Sequence, residues 1–259
     1  MQEIAHRCRR WRAIFCVVAT AASAAAAEFD PSDTSSWIVP QADLYAVEAR
    51  GDLAWAVGYW GTVLRSADAG KSWASAPTPT DEALYAVSFA DDSNGWAVGA
   101  NGALLRTTDG GLTWESLGVS LVDDFGDERP LDSSLFDVSA VSANEAWAVG
   151  DFGMLLHTRN GTDWEQIVIA EEIFPDDNLP DRIFNAVDFT DRAHGWIAGE
   201  FGTFLRTTDA GETWVGERTL NGAVDDVYLI DIAAKADVLR FELRILQCTA
   251  HGEQELRQR

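Results

Sequence analysis

A paired motif recurs four times in this chain and restricts its fold more than any other feature. In the second copy, Gly95-Trp96-Ala97-Val98-Gly99 precedes a segment that ends in Thr107-Thr108-Asp109-Gly110-Gly111-Leu112-Thr113-Trp114. The first Trp of each copy is residue 55, 96, 147 or 196, so the copies are spaced irregularly. The distance from that Trp to the Ser or Thr that opens the second motif is the same in all four. Constant spacing inside a unit and variable spacing between units predict structural repeats with loop insertions.

Each repeat contains four short strand patterns. In the second repeat, Leu84 to Phe89 alternates apolar residues, and further strand patterns cover 95–99, 103–107 and 114–117. Segments rich in Asp, Asn, Ser and Gly separate them, as expected for β-hairpins. Four strands in 40 to 50 residues is typical of a propeller blade. The sequence therefore predicts an all-β protein with four full blades of four antiparallel strands, in units at about 44–76, 84–117, 135–169 and 183–217.

The second motif has the pattern Ser/Thr-x-Asp-x-Gly-x-Thr/Ser-Trp. Its Asp can accept hydrogen bonds from the backbone of its own turn, its Gly can adopt angles that side chains resist, and its Trp can anchor the hairpin between blades. The residues predicted to fill these structural roles are Asp68, Gly70, Trp73, Asp109, Gly111, Trp114, Asp209, Gly211 and Trp214. The third copy has Asn160 in place of Asp and is one residue short before Trp164, so an altered turn is expected there.

These motifs resemble those of the Asp-box (BNR-type) repeat proteins, and most closely those of the photosystem II stability/assembly factor family. The resemblance covers about residues 37–227, and the paired motif that carries it is specific. It implies a β-propeller that acts as a non-catalytic assembly or interaction protein, and it does not imply photosynthesis. Members of the family close at about seven blades, so four units predict an incomplete or open arc of a larger propeller.

The two ends of the chain depart from the repeats. Residues 1–27 combine a basic start, a short apolar run and Ala25-Ala26-Ala27, which predicts a secretory signal peptide. Residues 28–232 are assigned to the propeller, and Trp37-Ile38-Val39-Pro40 matches the outer strand of a blade whose other strands come from elsewhere. Residues 233–259 form an off-pattern tail that we interpret as helix-prone and basic. The tail indicates either a truncated or frame-shifted product or a genuine C-terminal helix.

Charge and cysteine content restrict the possible partners. The net charge is −23, from 42 acidic and 19 basic residues, so nucleic acid and anionic membrane surfaces are poor partners. Removal of the signal would leave no segment suited to stable membrane insertion, which predicts a secreted or periplasmic protein. Only Cys248 would remain in the mature chain, which excludes an internal disulfide and a cysteine metal cluster. No cofactor and no metal are predicted.

Enzyme chemistry has little support in the sequence. A sialidase, which also carries Asp-boxes, needs an arginine cluster and a tyrosine nucleophile backed by an acid. Tyr45 and Tyr85 occupy one repeat position, which indicates packing, and Arg182-Ile183-Phe184 lacks the Pro of the sialidase arginine motif. One repeat position on the third strand holds Arg65, Arg106, His157 and Arg206. That row could grip an acidic partner or could form ion pairs between strands or blades.

The predicted function is a non-catalytic scaffold that binds a protein partner in a membrane or envelope complex; the alternative is an extracellular glycan-binding or glycosidase-like protein. In a propeller the turns between strands two and three share a face with the connections between blades. We predict that this face binds the partner through large residues at the turns and through an acidic connection, whose members are Trp60, Asn101, Phe152, Phe201, Asp123, Asp124, Asp127 and Glu128. In the alternative arrangement the aromatic rings fold inward and cap the channel.

Overall fold

The protein was analysed as a computed structural model. The structure describes residues 42–122, 126–169, 182–216, 227–235, 240–249 and 252–258. The predicted signal peptide, the proposed outer strand at 37–40, and Asp123 and Asp124 lie outside these residues. In the described part of the chain no helix has the length and apolar character needed to cross a membrane.

Each of the four repeats folds into one antiparallel sheet of four strands in sequence order. The first sheet contains β1 (Leu44–Arg50), β2 (Leu53–Gly58), β3 (Val63–Ser66) and β4 (Ala74–Ala76). The second contains β5 (Leu84–Phe89), β6 (Gly95–Gly99), β7 (Leu104–Thr107) and β8 (Glu115–Ser116). The third contains β11 (Leu135–Ser142), β12 (Glu145–Gly150), β13 (Leu155–Thr158) and β14 (Trp164–Gln166). The fourth contains β15 (Phe184–Phe189), β16 (Gly195–Gly199), β17 (Phe204–Thr207) and β18 (Val215–Gly216).

Two smaller sheets complete the described structure. Between the second and third repeats, β9 (Ser120–Val122) pairs with β10 (Glu128–Pro130), so part of the long acidic connection is itself a ribbon. Short 3₁₀ turns at Ala100–Gly102 and Asp151–Gly153 join strands two and three in two of the repeats. After the fourth repeat, β19 (Val227–Lys235), β20 (Arg240–Thr249) and β21 (Gly252–Gln258) form a three-stranded antiparallel sheet.

The helix-prone interpretation of residues 233–259 is wrong, because this segment forms strands in its described part. The sequence from Arg240 to Ile245 alternates charged and apolar residues. A period of two is the pattern of a strand, whereas a helix repeats every 3.6 residues. The alternation was present in the sequence and outweighs the helix propensity of the individual residues.

The sheets are arranged radially, as the blades of a propeller are. The first strand of each sheet lies against the first strand of the next, from β1 to β5, β11, β15 and finally β19. The second strand is buried on both faces, and all five residues of β6 are buried, because it lies between neighbouring blades. The predicted all-β class, the four-stranded blades and the open, partial propeller are therefore confirmed.

A repeated hydrogen bond fastens neighbouring blades near the axis. Glu48 Oε2 accepts the Phe89 N–H at 2.7 Å, and Ser88 Oγ accepts the Ala140 N–H at 3.1 Å. Ser139 Oγ accepts the Phe189 N–H at 3.1 Å in the next pair of blades. The acceptor in each case is the residue paired with the strand-two Trp. These polar side chains thus fix the rotation between neighbouring sheets, in addition to apolar burial, and in the third blade Asp137 adds a second such bond to the Val187 N–H at 2.8 Å.

Candidate functional site

The second Asp-box shows how each repeat closes its outer hairpin. Thr107 Oγ1 donates to Asp109 Oδ1 at 2.8 Å and accepts the Gly111 N–H at 2.9 Å. Asp109 also accepts the Thr113 N–H at 3.0 Å through Oδ1 and the Thr113 hydroxyl at 2.6 Å through Oδ2. One carboxylate therefore bridges both arms of the turn, so its first role is structural.

The carboxylate of this turn is held in its charged form. In the first box the hydroxyl and amide of Ser72 lower the pKa of Asp68 to about 2, with a further bond from Ser66. In the fourth box the Thr213 hydroxyl and amide likewise lower the pKa of Asp209. An acceptor with these donors around it is already satisfied. The boxes are therefore poor candidates for a general acid or for a metal site.

The third box is altered, as its sequence predicts. Asn160 Oδ1 replaces the carboxylate and accepts the N–H groups of Thr162 at 3.0 Å and Asp163 at 2.8 Å. The other three boxes hold two consecutive residues at positive φ, whereas in this box only Gly161 does so. The missing residue is thus one of the two left-handed positions, and the turn closes one residue earlier.

The second, third and fourth Asp-boxes each pack against the blade before them. The Trp55 indole N–H and the Arg65 Nε both donate to the Gly110 carbonyl, at 2.8 and 2.7 Å. A Cβ on Gly111 would lie 2.6 Å from the Trp55 ring, so this position needs Gly for space as well as for its φ of 79°. Arg65 and Arg106 of the third-strand row therefore join neighbouring blades, which favours the structural interpretation of these two residues.

The third blade places a histidine where the other blades have arginine. His157 is buried and stacks on Trp147, with ring centroids 3.7 Å apart. Burial first, and then the Arg159 charge, lower the pKa of His157 to about 4, although Glu145 lies 3.5 Å from its Nε2. Arg192 of the next blade reaches back to Glu145 at 2.6 Å. The ring is therefore neutral at pH 7 and serves packing.

The turns between strands two and three present large exposed side chains. Trp60 and Phe152 are each 64% exposed, and Phe201 is 45% exposed. These rings are therefore accessible to solvent rather than packed in the core. Their φ angles are 58°, 56° and 55°, and Asn101 takes the same conformation in the second repeat. Asn is common in this left-handed region, whereas aromatic residues are rare in it.

The turns are fixed to the segments that connect the blades. The Gly61 N–H donates to the Glu82 carbonyl at 2.8 Å, and the Gly153 N–H donates to the Arg182 carbonyl at 2.6 Å. On the opposite side, each conventional Asp-box bonds to the turn between strands one and two; for example, the Gly110 N–H donates to the Ser93 carbonyl at 2.8 Å. We call the side that carries turns 59–62, 100–103, 151–154 and 200–203, with the blade connections, the turn face.

A second aromatic row lies at the same end of the inner strands, and the sequence prediction did not place it in the site. In each blade a β-bulge interrupts the pairing between strand one, which is the inner strand, and strand two. The bulge directly follows the residue of strand one that pairs with the Gly at the end of strand two. The bulged residues are Tyr45, Tyr85, Phe136 and Asn185. The Tyr45 and Tyr85 rings are 5.7 Å apart, and the Tyr85 and Phe136 rings are 5.8 Å apart. A bulge changes the direction in which a side chain points. The sequence signal for this row was that its members share one position in the repeat.

The turn face is strongly acidic. Within the described ranges, its turns and connections hold eight carboxylates and two arginines: Asp43, Asp81, Glu82, Asp127, Glu128, Asp132, Asp151, Glu200, Arg129 and Arg182. Asp127 and Glu128, from the predicted acidic connection, are exposed. The predicted members Asp123 and Asp124 lie outside the described residues. The structure therefore brings the turn aromatics, the inner aromatic row, Asp127 and Glu128 to one side of the molecule.

Comparisons with known proteins agree with this architecture. Residues 72–181 match the model of a family described as photosynthesis system II assembly factor YCF48. A curated relative, the chloroplastic photosystem II stability/assembly factor HCF136 of Arabidopsis thaliana, is 36% identical over 95 residues. The match covers 35% of this chain and 22% of that protein, so the chain spans only a small part of its length.

Two solved structures are also similar. The β-propeller domain of Myceliophteria thermophila Cps50 (Swd1) is 11% identical, with a TM-score of 0.56, over 81% of this chain and 66% of that chain. A structure of YCF48 bound to a D1 peptide is 23% identical, with a TM-score of 0.49, over 69% of this chain and 56% of that chain. The first of these shows the propeller fold.

The radial sheets and their box turns define an Asp-box β-propeller. The family match and the curated relative confirm the predicted resemblance to the photosystem II assembly factors, over the repeats that they cover.

Proposed function

We propose that this chain is a non-catalytic propeller scaffold that binds a protein partner through its turn face. In this proposal it aids the assembly or stability of a membrane or envelope complex outside the cytoplasm. The observation that carries the proposal is the exposure of Trp60, Phe152 and Phe201 in left-handed turns. Aromatic anchors surrounded by polar groups are the composition of protein interfaces.

The chemistry of the described residues supports a binding role over catalysis. The Asp-box carboxylates are engaged in their own turns, and Arg65 and Arg106 of the third strand contact the next blade. The family and the curated relative are described as assembly factors, which act on other proteins. The secreted or periplasmic location is supported by the pattern of residues 1–27 alone.

A glycan-binding or glycosidase-like protein is the competing candidate, because exposed aromatic rings also stack on sugars. The two candidate functions predict opposite results in one experiment. The purified protein is immobilised and exposed to envelope extract, and in parallel it is screened on a panel of glycosides and polysaccharides. The scaffold proposal predicts saturable capture of a specific protein and no hydrolysis. Hydrolysis that persists through purification and disappears on substitution of one carboxylate would overturn it.

A further inference from the structure

The inner aromatic row and the turn aromatics together restrict what the turn face can bind. Tyr45, Tyr85 and Phe136 follow one another along three blades at centroid distances of 5.7 and 5.8 Å. In an extended polypeptide every second side chain is about 6.6–6.8 Å further along. The rings are therefore spaced slightly more closely than this repeat, and alternate side chains of an extended segment that lies across the blades can reach successive rings.

The charge of the turn face restricts which kind of polypeptide segment it can bind. The turn face holds eight carboxylates against two arginines in its described part. The faces of aromatic rings also carry a partial negative charge and attract cations within about 6 Å of the centroid. Arg182 already lies 5.9 Å from the Phe201 ring, which shows that this surface accommodates a guanidinium over an aromatic side chain. Both features favour a cationic ligand and disfavour an acidic one.

We infer that the turn face binds an extended polypeptide segment rich in Arg and Lys, whose cationic side chains lie over the aromatic rows and pair with the surrounding carboxylates. This inference rests on the proposed function and specifies its partner. A neutral glycan would stack on the same rings but would gain nothing from the carboxylates. The carboxylates therefore distinguish the two ligands.

The second repeat suggests the variant that removes an aromatic anchor without harming the fold. Asn101 occupies the same turn position as Trp60, with a φ of 51° against 58°. Trp60→Asn therefore retains a residue that tolerates the left-handed turn. Glu212→Gln, an exposed change in the fourth Asp-box, is the matched charge control on the opposite face.

Three synthetic twelve-residue peptides test the inference, in which Gly alternates with Arg, Glu or Gln. Calorimetric titration of the full chain should show binding of the Arg peptide, weaker binding of the Gln peptide and none of the Glu peptide. Trp60→Asn and the double variant Asp81→Asn with Glu82→Gln should each weaken the Arg peptide about two- to fivefold, in line with exposed cation–π and charge pairs. Glu212→Gln should change the affinity by less than that.

Each other outcome is decisive. Equal binding of the three peptides, or an equal effect of Glu212→Gln and the turn-face variants, would show that the cationic peptide has no preferred site and would overturn the inference. Binding of cellohexaose, abolished by Trp60→Asn, would replace the peptide with a glycan. If Trp60→Asn abolishes capture of an envelope protein while the peptides show no charge preference, the proposed function stands and only the cationic partner is wrong.

Discussion

At the scale of single residues, Trp60, Phe152 and Phe201 combine two unfavourable properties. Each ring is exposed, and each backbone is left-handed, which costs about 1 kcal/mol or more for a residue with a side chain. Gly or Asn would fill these turns with less strain, as Asn101 does. Strain and exposure at the same three residues are what a binding surface needs and what folding alone does not favour.

His157 gives a prediction about pH at this same scale. Its pKa is lowered to about 4 in the folded protein, from an ordinary value of about 6.5 in the unfolded chain. Between these values the unfolded chain binds a proton that the folded protein excludes. The contribution of this group to stability is therefore complete above pH 6.5, falls as the pH drops to 4, and changes little below that.

Urea unfolding between pH 4 and 7 measures this effect. His157→Gln should flatten the part of the profile between pH 6.5 and 4 relative to the parent protein. His194, which is exposed and lies 2.9 Å from Asp191, offers the matched control, since His194→Gln removes a histidine from the surface. If His194→Gln flattens the profile as much as His157→Gln does, burial of His157 is not the cause.

At the scale of elements, the Asp-box hairpin is the unit that turns sequence into blade geometry. Its carboxylate closes the hairpin, and its Gly approaches the Trp of the preceding blade. The third box shows that the acceptor oxygen matters more than the charge, since Asn160 Oδ1 accepts two backbone N–H groups in the same way. The hairpin therefore tolerates Asn but depends on an oxygen at this position.

The second box provides the corresponding test. Asp109→Ala removes the acceptor of two backbone N–H groups and two hydroxyls, and we expect a loss of about 2 kcal/mol in the free energy of unfolding. Asp109→Asn keeps the Oδ1 acceptor and should lose about half as much. Chemical denaturation of both variants measures the difference. Equal losses would show that the negative charge, and not the acceptor oxygen, stabilises the turn.

The four blades could be predicted from the sequence, whereas the last two strands could not, because only the blades carry strong local sequence patterns. The repeat spacing and the box turns predict the four sheets, because each blade is built from neighbouring segments of sequence. The strands β20 and β21 were missed, since the alternation in Arg240 to Ile245 competes with residues of good helix propensity.

The interblade role of Arg65 was one of two alternatives in the sequence, because its acceptor, the Gly110 carbonyl, is 45 residues away. The inner row that contains Tyr85 was seen as packing because a bulge is set by strand pairing, which the sequence does not display. The exposed rings of Trp60, Phe152 and Phe201 were predicted correctly, because a residue directly before Gly in a tight turn has few ways to be buried.

At the scale of the whole molecule, the first described blade differs from the later blades in the burial of its interblade residues. Trp114, Trp164 and Trp214 are buried, and each packs in a core cluster with the strand-two Trp of the preceding blade. Trp73 of the first described blade is only partly buried. On the inner strand of that blade, Val47 is 37% exposed, whereas its equivalent Val87 is 9% exposed. The side of the first blade that no described blade covers therefore has the side chains of an interblade contact.

Matched tryptophan variants measure this asymmetry. Trp114→Ala should cost about 3–5 kcal/mol of unfolding free energy, because it empties a packed site between two blades. Trp73→Ala should cost less than half as much, since no blade among the described residues covers its partly buried ring. Thermal or urea unfolding of the two proteins provides the comparison. Equal costs would mean that another part of the molecule covers the first blade.

The central claim is that the turn face, and not the Asp-box face, meets a protein partner. The most direct measurement is the amount of envelope protein captured by Trp60→Ala and Phe201→Ala, beside Glu212→Ala on the Asp-box face, with the thermal midpoint of each variant recorded. We predict that the two aromatic variants lose most of the capture with nearly unchanged midpoints, while Glu212→Ala captures as the parent does. A large fall in the thermal midpoint of both aromatic variants, or loss of capture in Glu212→Ala alone, would contradict this claim.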